Sequence, residues 1–324
     1  MIQINYFNSS AYQKRWPIIK AALNELCNIK EENKLKIKLV IYNNIINQNN
    51  WIEMLVQLKN SNIDVKNIEL YNDDYATKIS YTNKCETEYF CKWDDDIFIS
   101  RNVWDFIIEN IHILNDESIS VIAPTLSNGI PSVELFIKDF LSKEEESHVH
   151  KIFLNENIPN SIWGCNFNEI RNYICNLNSW DGDKYWEFVN NADVTKDTSS
   201  LPWFYNIIKG VHPARFSYTY NKYIANHAIN NIDMILNKHD FYFEKYLTPY
   251  FCNNLFFSKT SYYKESLTLF NDGWDEGQLT LLAKKTNKIP AYVRNCYGIH
   301  MAYGCTINQS ELEEIYMKNL FSKI

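Results

Sequence analysis

The residues best placed to do chemistry are Asp94, Asp95 and Asp96, which follow the largely apolar stretch Tyr89-Phe90-Cys91-Lys92-Trp93 without a break. Three consecutive carboxylates repel one another, and a chain that ends a buried strand with them needs a cation close by. Hard divalent ions such as Mg²⁺ or Mn²⁺ take oxygen ligands and keep coordination positions open for phosphates. The run is therefore expected to form a metal and diphosphate site. An isolated acidic run in a loop would read better as a turn capping the next helix. Position favours the metal reading, because ligands of open α/β sheets bind in the crevice at the carboxyl ends of the strands.

Two downstream features add candidates. Asp275 and Glu276 follow the turn residues Asn271-Asp272-Gly273-Trp274 and lead into an apolar helical pattern. Acids at a helix start are favoured by the helix dipole, so this pair needs no catalytic explanation by itself. His300 is placed just beyond a strand expected over 289–294, where an imidazole could complete a site begun by the carboxylates. His148 and His150 form another potential pair, but beside Lys143-Glu144-Glu145-Glu146 they read better as a solvated helix end.

These residues need a scaffold, and the first 125 residues supply an alternating one. Strands are expected over 2–7, 36–42, 65–71, 89–93 and 120–123. Helices are expected between them: one with Pro17 in its first turn and Ile18, Ile19, Ala22, Leu23 and Leu26 on one face, then 51–59, 75–84 and 103–114. Such alternation predicts an α/β fold with a mostly parallel central sheet and helices on both faces. Residues 126–245 form an irregular, aromatic-rich insertion that includes Trp163, Trp180, Trp186 and Trp203. Tryptophan and tyrosine rings can stack on sugars, although for any one of them a place in the core is the plainer reading. Regular signals return with a strand at 251–258, a helix at 278–285, the strand at 289–294 and a C-terminal helix. The sequence Ser310-Glu311-Leu312-Glu313 predicts a capping box for that last helix, with Leu312, Ile315, Tyr316 and Leu320 on its packed face.

Composition narrows the function classes. The chain has 324 residues, 46% of them hydrophobic, and a formal net charge of -7, which argues against a general nucleic-acid binder because a phosphate backbone demands a concentrated basic face. Eight cysteines occur with no CxxC pair, so neither a zinc ribbon nor a disulfide framework is expected, and reduced thiols are. No apolar run approaches 18 residues, and Met1 leads into a strand rather than a signal sequence. A cytoplasmic location is the expectation.

In order along the chain, these features resemble the metal-dependent glycosyltransferases of the GT-A fold, particularly the bacterial family 2 type, over residues 1–125 and 250–304. The resemblance implies a Rossmann-like nucleotide-sugar-binding half at 1–125, an insertion on the acceptor side at 126–245, and the remainder of the core at 246–324. It implies nucleotide contacts from Tyr6 and Asn8 after the first strand and from Asn43 after the second, where the family's usual acid is absent. Asp73 and Lys78 echo the polar turn and basic helix that follow the third strand. Asp94-Asp95-Asp96 matches the DxD motif, with Asp96 as direct ligand to Mn²⁺ or Mg²⁺ and Asp94 on the ribose or a metal-bound water. Asp275-Glu276-Gly277-Gln278-Leu279 looks like the family's acid pair, with Gln278 replacing its later aspartate, Glu276 as catalytic base and Asp275 next in line. His300 matches a histidine that acts as a second protein ligand to the metal.

The implied reaction moves a sugar from a nucleotide sugar, most commonly a UDP-sugar, to a hydroxyl of a glycan or glycolipid acceptor, with inversion if Glu276 is the base and with retention left open. Bacterial surface polysaccharide or glycoconjugate synthesis is the implied setting. The C-terminal helix could touch a membrane, so the enzyme could work at its inner face. Two other readings stand beside this one. A sugar-phosphate nucleotidyltransferase would also use carboxylate-bound Mg²⁺, but Asn8-Ser9-Ser10-Ala11 has neither the glycines nor the bases of its usual phosphate loop. A noncatalytic carbohydrate-binding protein would leave Asp94 to Asp96, Glu276 and His300 unconnected.

Overall fold

A computed structural model of the chain describes residues 1–8, 12–43, 49–69, 84–128, 133–155, 161–162, 165–166, 175–176, 179–180, 217–246, 254–269, 275–301, 308–322 and 324. The amino-terminal part alternates as its pattern predicts. Strands β1 (Ile2–Phe7), β2 (Ile37–Asn43), β3 (Asp64–Glu69) and β4 (Tyr89–Asp94) are separated by helices Tyr12–Cys27 and Asn49–Asn60. The expected helix at 75–84 falls almost wholly outside the described residues. After β4 come the short β5 (Ile97–Phe98), helix Arg101–Glu109, a 3₁₀ turn at Ile111–Asn115 and β6 (Ile119–Leu126). The single helix expected over 103–114 is thus two pieces. Asn110 separates them, its side-chain amide donating to the Phe106 carbonyl (2.8 Å), a local bond that competes with helix continuation.

The middle of the chain adds helices Val133–Phe140 and Lys143–Asn155 and two small ladders, β7 (Ser161–Ile162) with β8 (Cys165–Asn166) and β9 (Cys175–Asn176) with β10 (Ser179–Trp180). It continues with helices Tyr218–Asn230 and Ile232–Asn237 and strand β11 (Tyr242–Lys245). Then follow β12 (Leu255–Lys259), helices Thr260–Ser266 and Asp275–Thr286, the long β13 (Ile289–His300) and helix Gln309–Asn319.

Among the described residues the strands form a nine-stranded sheet in the order β11-β13-β6-β12-β4-β1-β2-β3, with β5 pairing on β13. Strands β1, β2, β3 and β4 are mutually parallel, and β13 runs parallel to β6. β12 lies antiparallel between β4 and β6. The carboxyl ends of β1, β2, β4, β6 and β13 consequently share one edge of the sheet, and the amino end of β12 meets them there.

Side-chain alternation feeds two faces. In β4, Tyr89, Cys91 and Trp93 join the larger core under helices Tyr12–Cys27, Asn49–Asn60 and Arg101–Glu109, whereas Phe90 joins a second core with Tyr262, Tyr263, Leu279 and Leu282. The apolar face expected for the first helix is buried as a unit: Ile18, Ile19, Ala22, Leu23 and Leu26. Described residues of the middle segment, among them Phe136, Val149, Tyr220 and Ile224, pack into the same larger core. His148 is exposed on its helix, as a solvated helix face requires. Among the described residues, Cys27, Cys85, Cys91 and Cys296 are buried free thiols, and no helix is long and apolar enough to cross a membrane.

Three local expectations are corrected. Pro17 lies inside its helix beyond the first turn, where its ring removes a backbone hydrogen bond. Ser310 does not cap the last helix: the N-cap is Asn308, at φ 59°, and it makes no side-chain capping bond. His300 is the last residue of β13 itself and not a residue beyond it, because that strand continues past Arg294 to pair with β5 through Ile299 and His300.

Gly298 explains how β13 can continue. A Cβ built there would stand 2.4 Å from Leu126 Cδ2 and 2.7 Å from the Thr125 carbonyl oxygen, and the latter is backbone that cannot swing aside. Gly298→Ala is therefore expected to destabilise the fold by about 1–3 kcal/mol, the usual scale of overpacking, measured as a lower urea midpoint with unchanged slope.

Candidate active site

Strand β4 delivers the acids. Its last residue, Asp94, pairs in register with Phe7 at the end of parallel β1, and Asp95 and Asp96 form the turn into β5. The next helix starts only at Arg101, with Ser100 as its N-cap. The acids therefore do not cap it.

Each carboxylate has a distinct setting. Asp94 accepts from Lys92 Nζ (3.2 Å), two positions back on the same face of β4, and from Asn254 Nδ2 (3.2 Å). Its own backbone N–H donates to the Asn254 carbonyl (2.9 Å). Asn254 immediately precedes β12, so the antiparallel strand inserted beside β4 brings a side chain to the acids from its amino end. Asp95, 3% exposed, accepts from Arg15 Nη1 (2.9 Å), and the same nitrogen lies 3.4 Å from Asp96 Oδ2. Burial opposes the charge on Arg15, but Asp96 and then Asp95 outweigh it and raise its pKa, so the guanidinium stays charged.

Asp96 is 7% exposed, and its carbonyl accepts from the Met301 N–H (3.0 Å), tying the acidic turn to the end of β13. Its Oδ2 lies 3.8 Å from His300 Nε2. The other oxygen, Oδ1, is buried with no hydrogen-bond partner among the described residues.

His300 is fully buried, with Nδ1 2.7 Å from the carbonyl oxygen of Asn128, just past β6. A carbonyl can only accept, so Nδ1 carries the proton, and a neutral ring then has its lone pair on Nε2. That lone pair is on the side of Asp96, at a separation too long for a hydrogen bond. An acceptor nitrogen near a carboxylate with a buried unsatisfied oxygen suits a shared cation. The spacing lies within reach of two ligands on one ion with bonds of roughly 2.0–2.1 Å. The backbone acceptor behind the imidazole is the usual arrangement for a metal-ligating histidine. Among the described residues no group of three or more His, Cys, Asp or Glu side chains is arranged to hold a metal. An ion held by Asp96 and His300 would have to draw its remaining ligands from a diphosphate and water.

The other candidates are placed unevenly. Tyr6 is fully buried, its ring edge-on to Trp93 at 4.6 Å between centroids. Burial, then the charges of Asp95 and Asp96, push its pKa well above that of a free phenol, which keeps the hydroxyl protonated beside the acids. Asn8 is buried at the end of β1, its backbone N–H donating to the Tyr42 carbonyl (3.0 Å). Asn43 ends β2 on the same edge. Asp275 and Glu276 open helix Asp275–Thr286, but their side chains lie outside what is described, and Asp73 and Lys78 are outside the described residues altogether. Arg15, Lys92 and Asn254 went unnoticed in the sequence as site residues. Lys92 carried a signal, since it shares its strand face with Asp94, whereas Arg15 and Asn254 had none.

No protein-family model and no curated protein matches the chain. Structural likenesses exist to glycosyltransferases. One is TarS 1-349 of S. aureus in complex with UDP, at 12% identity and TM-score 0.29 over 39% of this chain and 36% of that one. Another is TarS 1-349 in complex with UDP-GlcNAc, at 14% identity and TM-score 0.31 over 73% and 88% of the two chains. A third is the galactosyltransferase LgtC in complex with donor and acceptor sugar analogues, at 9% identity and TM-score 0.31 over 99% and 96%. The match to the UDP complex thus spans little more than a third of that chain. Likenesses of this strength carry no argument of their own, and the functional reading rests on the geometry at the ends of β4 and β13.

Proposed function

We propose that the chain is a GT-A-type glycosyltransferase that uses a divalent cation, Mn²⁺ or Mg²⁺, and transfers a sugar from a nucleotide sugar, with UDP as the nucleotide, to a hydroxyl of a glycan or glycolipid. The observation that carries the reading is the convergence of Asp96 and His300, far apart in sequence, at the carboxyl-end edge of the sheet, with Asp96 Oδ1 buried and without a hydrogen-bond partner among the described residues. Asp96 and His300 would hold the cation. When bound there, it supplies positive charge against the charge that develops on the β-phosphate as the glycosidic C–O bond breaks.

The chain's own groups do the rest. The Asn128 carbonyl keeps His300 in the Nδ1-protonated tautomer, and Met301 anchors the Asp96 backbone. Lys92 and Asn254 fix the orientation of Asp94, to which we assign a hydrogen bond from the ribose or from a water at the cation. Asn8, just past β1, and Asn43, the last residue of the neighbouring parallel β2, are assigned to the nucleotide. Glu276 is assigned as general base: its carboxylate accepts the proton of the acceptor hydroxyl as the oxygen attacks the anomeric carbon. Attack opposite the leaving diphosphate inverts the anomeric configuration.

Release of UDP from a panel of UDP-sugars, with Mn²⁺ or with chelator, tests this reading. Mn²⁺-dependent release is the expected result. Release of pyrophosphate from a nucleoside triphosphate and a sugar phosphate would instead identify a nucleotidyltransferase, and sugar binding without turnover of any donor would identify a carbohydrate-binding protein.

A further inference from the structure

Arg15 stands at the centre of the acid cluster. Its Nη1 donates to Asp95 Oδ1 and lies 3.4 Å from Asp96 Oδ2, the same oxygen that is 3.8 Å from His300 Nε2. A cation held by Asp96 and His300 would therefore be brought close to a permanent positive charge. Asp95 is 3% exposed and Arg15 half-buried, so water screens that repulsion poorly. Diphosphate oxygens would reverse its sign, because they attract the guanidinium and the cation together, and guanidinium groups suit phosphate geometry.

We propose that Arg15 is a positioning residue that couples the two ligands. It holds Asp95 and Asp96 in place while the cation is absent, keeps a bare divalent ion weakly bound, and permits tight binding only when a nucleoside diphosphate group arrives with it. This inference rests on the glycosyltransferase reading above and deepens it by assigning the origin of metal–donor coupling to one side chain. The coupling is reciprocal, so UDP must tighten Mn²⁺ binding by the same factor by which Mn²⁺ tightens UDP binding.

The test is Mn²⁺ titration, with free ion counted by electron paramagnetic resonance, in the presence and absence of UDP, on the full chain and on Arg15→Met and Arg15→Lys. Removing an opposing charge a few ångströms from a site is expected to tighten bare Mn²⁺ about tenfold or more in Arg15→Met. The factor by which UDP improves Mn²⁺ affinity should shrink correspondingly, while Arg15→Lys, which keeps the charge, should preserve most of it. Circular dichroism establishes folding, and Arg15→Gln replaces the methionine variant if that one does not fold. A purely structural Arg15 would lower the melting temperature and leave the UDP-induced factor unchanged, and that result overturns the proposal. Loss of the inference alone appears as a normal factor in all proteins, whereas a factor of one in the unaltered chain removes the glycosyltransferase reading as well.

Discussion

Asp96→Ala is expected to abolish the Mn²⁺-dependent part of UDP binding while leaving the protein folded. The Asp96 side chain is the one in the acidic turn with a buried oxygen that nothing described satisfies, and it faces His300. The contact that ties the turn to β13 uses the Asp96 backbone carbonyl and survives the substitution. Arg15 also keeps Asp95 as a partner. The loss in metal-dependent affinity should reach at least the upper end of the roughly 10–100-fold that removing an outer-shell partner of a metal ligand costs, since here a direct ligand goes. Calorimetry of UDP with Mn²⁺ and with chelator measures it, alongside a thermal melt to establish folding. Unchanged metal-dependent affinity in Asp96→Ala would sink the site assignment. The same result in His300→Ala would remove only that ligand and return the imidazole to a structural role between β6 and β13.

The second large effect is expected in turnover. If Glu276 accepts the acceptor's proton, Glu276→Gln keeps the size of the side chain and loses its basicity, so turnover should drop by about 100-fold or more, within the range of a positioned general base. Donor affinity, measured by calorimetry, should change far less. The competing explanation is electrostatic. Glu276 lies in the first turn of helix Asp275–Thr286, where a negative charge interacts favourably with the helix dipole by about 0.3–1 kcal/mol. A variant with near-normal turnover and a slightly lower melting temperature would assign Glu276 to that role, and Asp275→Asn would then be the variant to assay for the base.

Much of the scaffold was legible because its information is local. The strand signals of β1, β2 and β4, the apolar face from Ile18 to Leu26 and the strand-end position of Asp94 each depend on residues within a few turns or strand positions of one another. Periodicity reports which side of an element will be buried before its partner is known. Where local signals competed, the sequence was a poorer guide. Ser310 offered a capping box that the helix does not use, and Asn110 ended a helix whose apolar pattern ran on. The strand signal stops at 294, short of the end of β13, because the segment after Arg294 contains Asn295 and Gly298, both weak strand formers. Gly298 is in fact what lets β13 pass close to Thr125 and Leu126.

The sequence by itself determined that acids would end a strand, that helices would cover a mainly parallel sheet, and that His300 would come near the end of a later strand. Tertiary structure alone decided what surrounds those acids. The insertion of β12 between β4 and β6 brings Asn254 to Asp94, the packing of the first helix delivers Arg15 to Asp95 and Asp96, and the parallel pairing of β13 with β6 carries His300 to Asp96 and to the Asn128 carbonyl. The reason is physical. Strand and helix periods are properties of neighbouring residues, whereas strand order and the meeting of distant side chains depend on how whole faces bury one another, and that is a property of the assembled core.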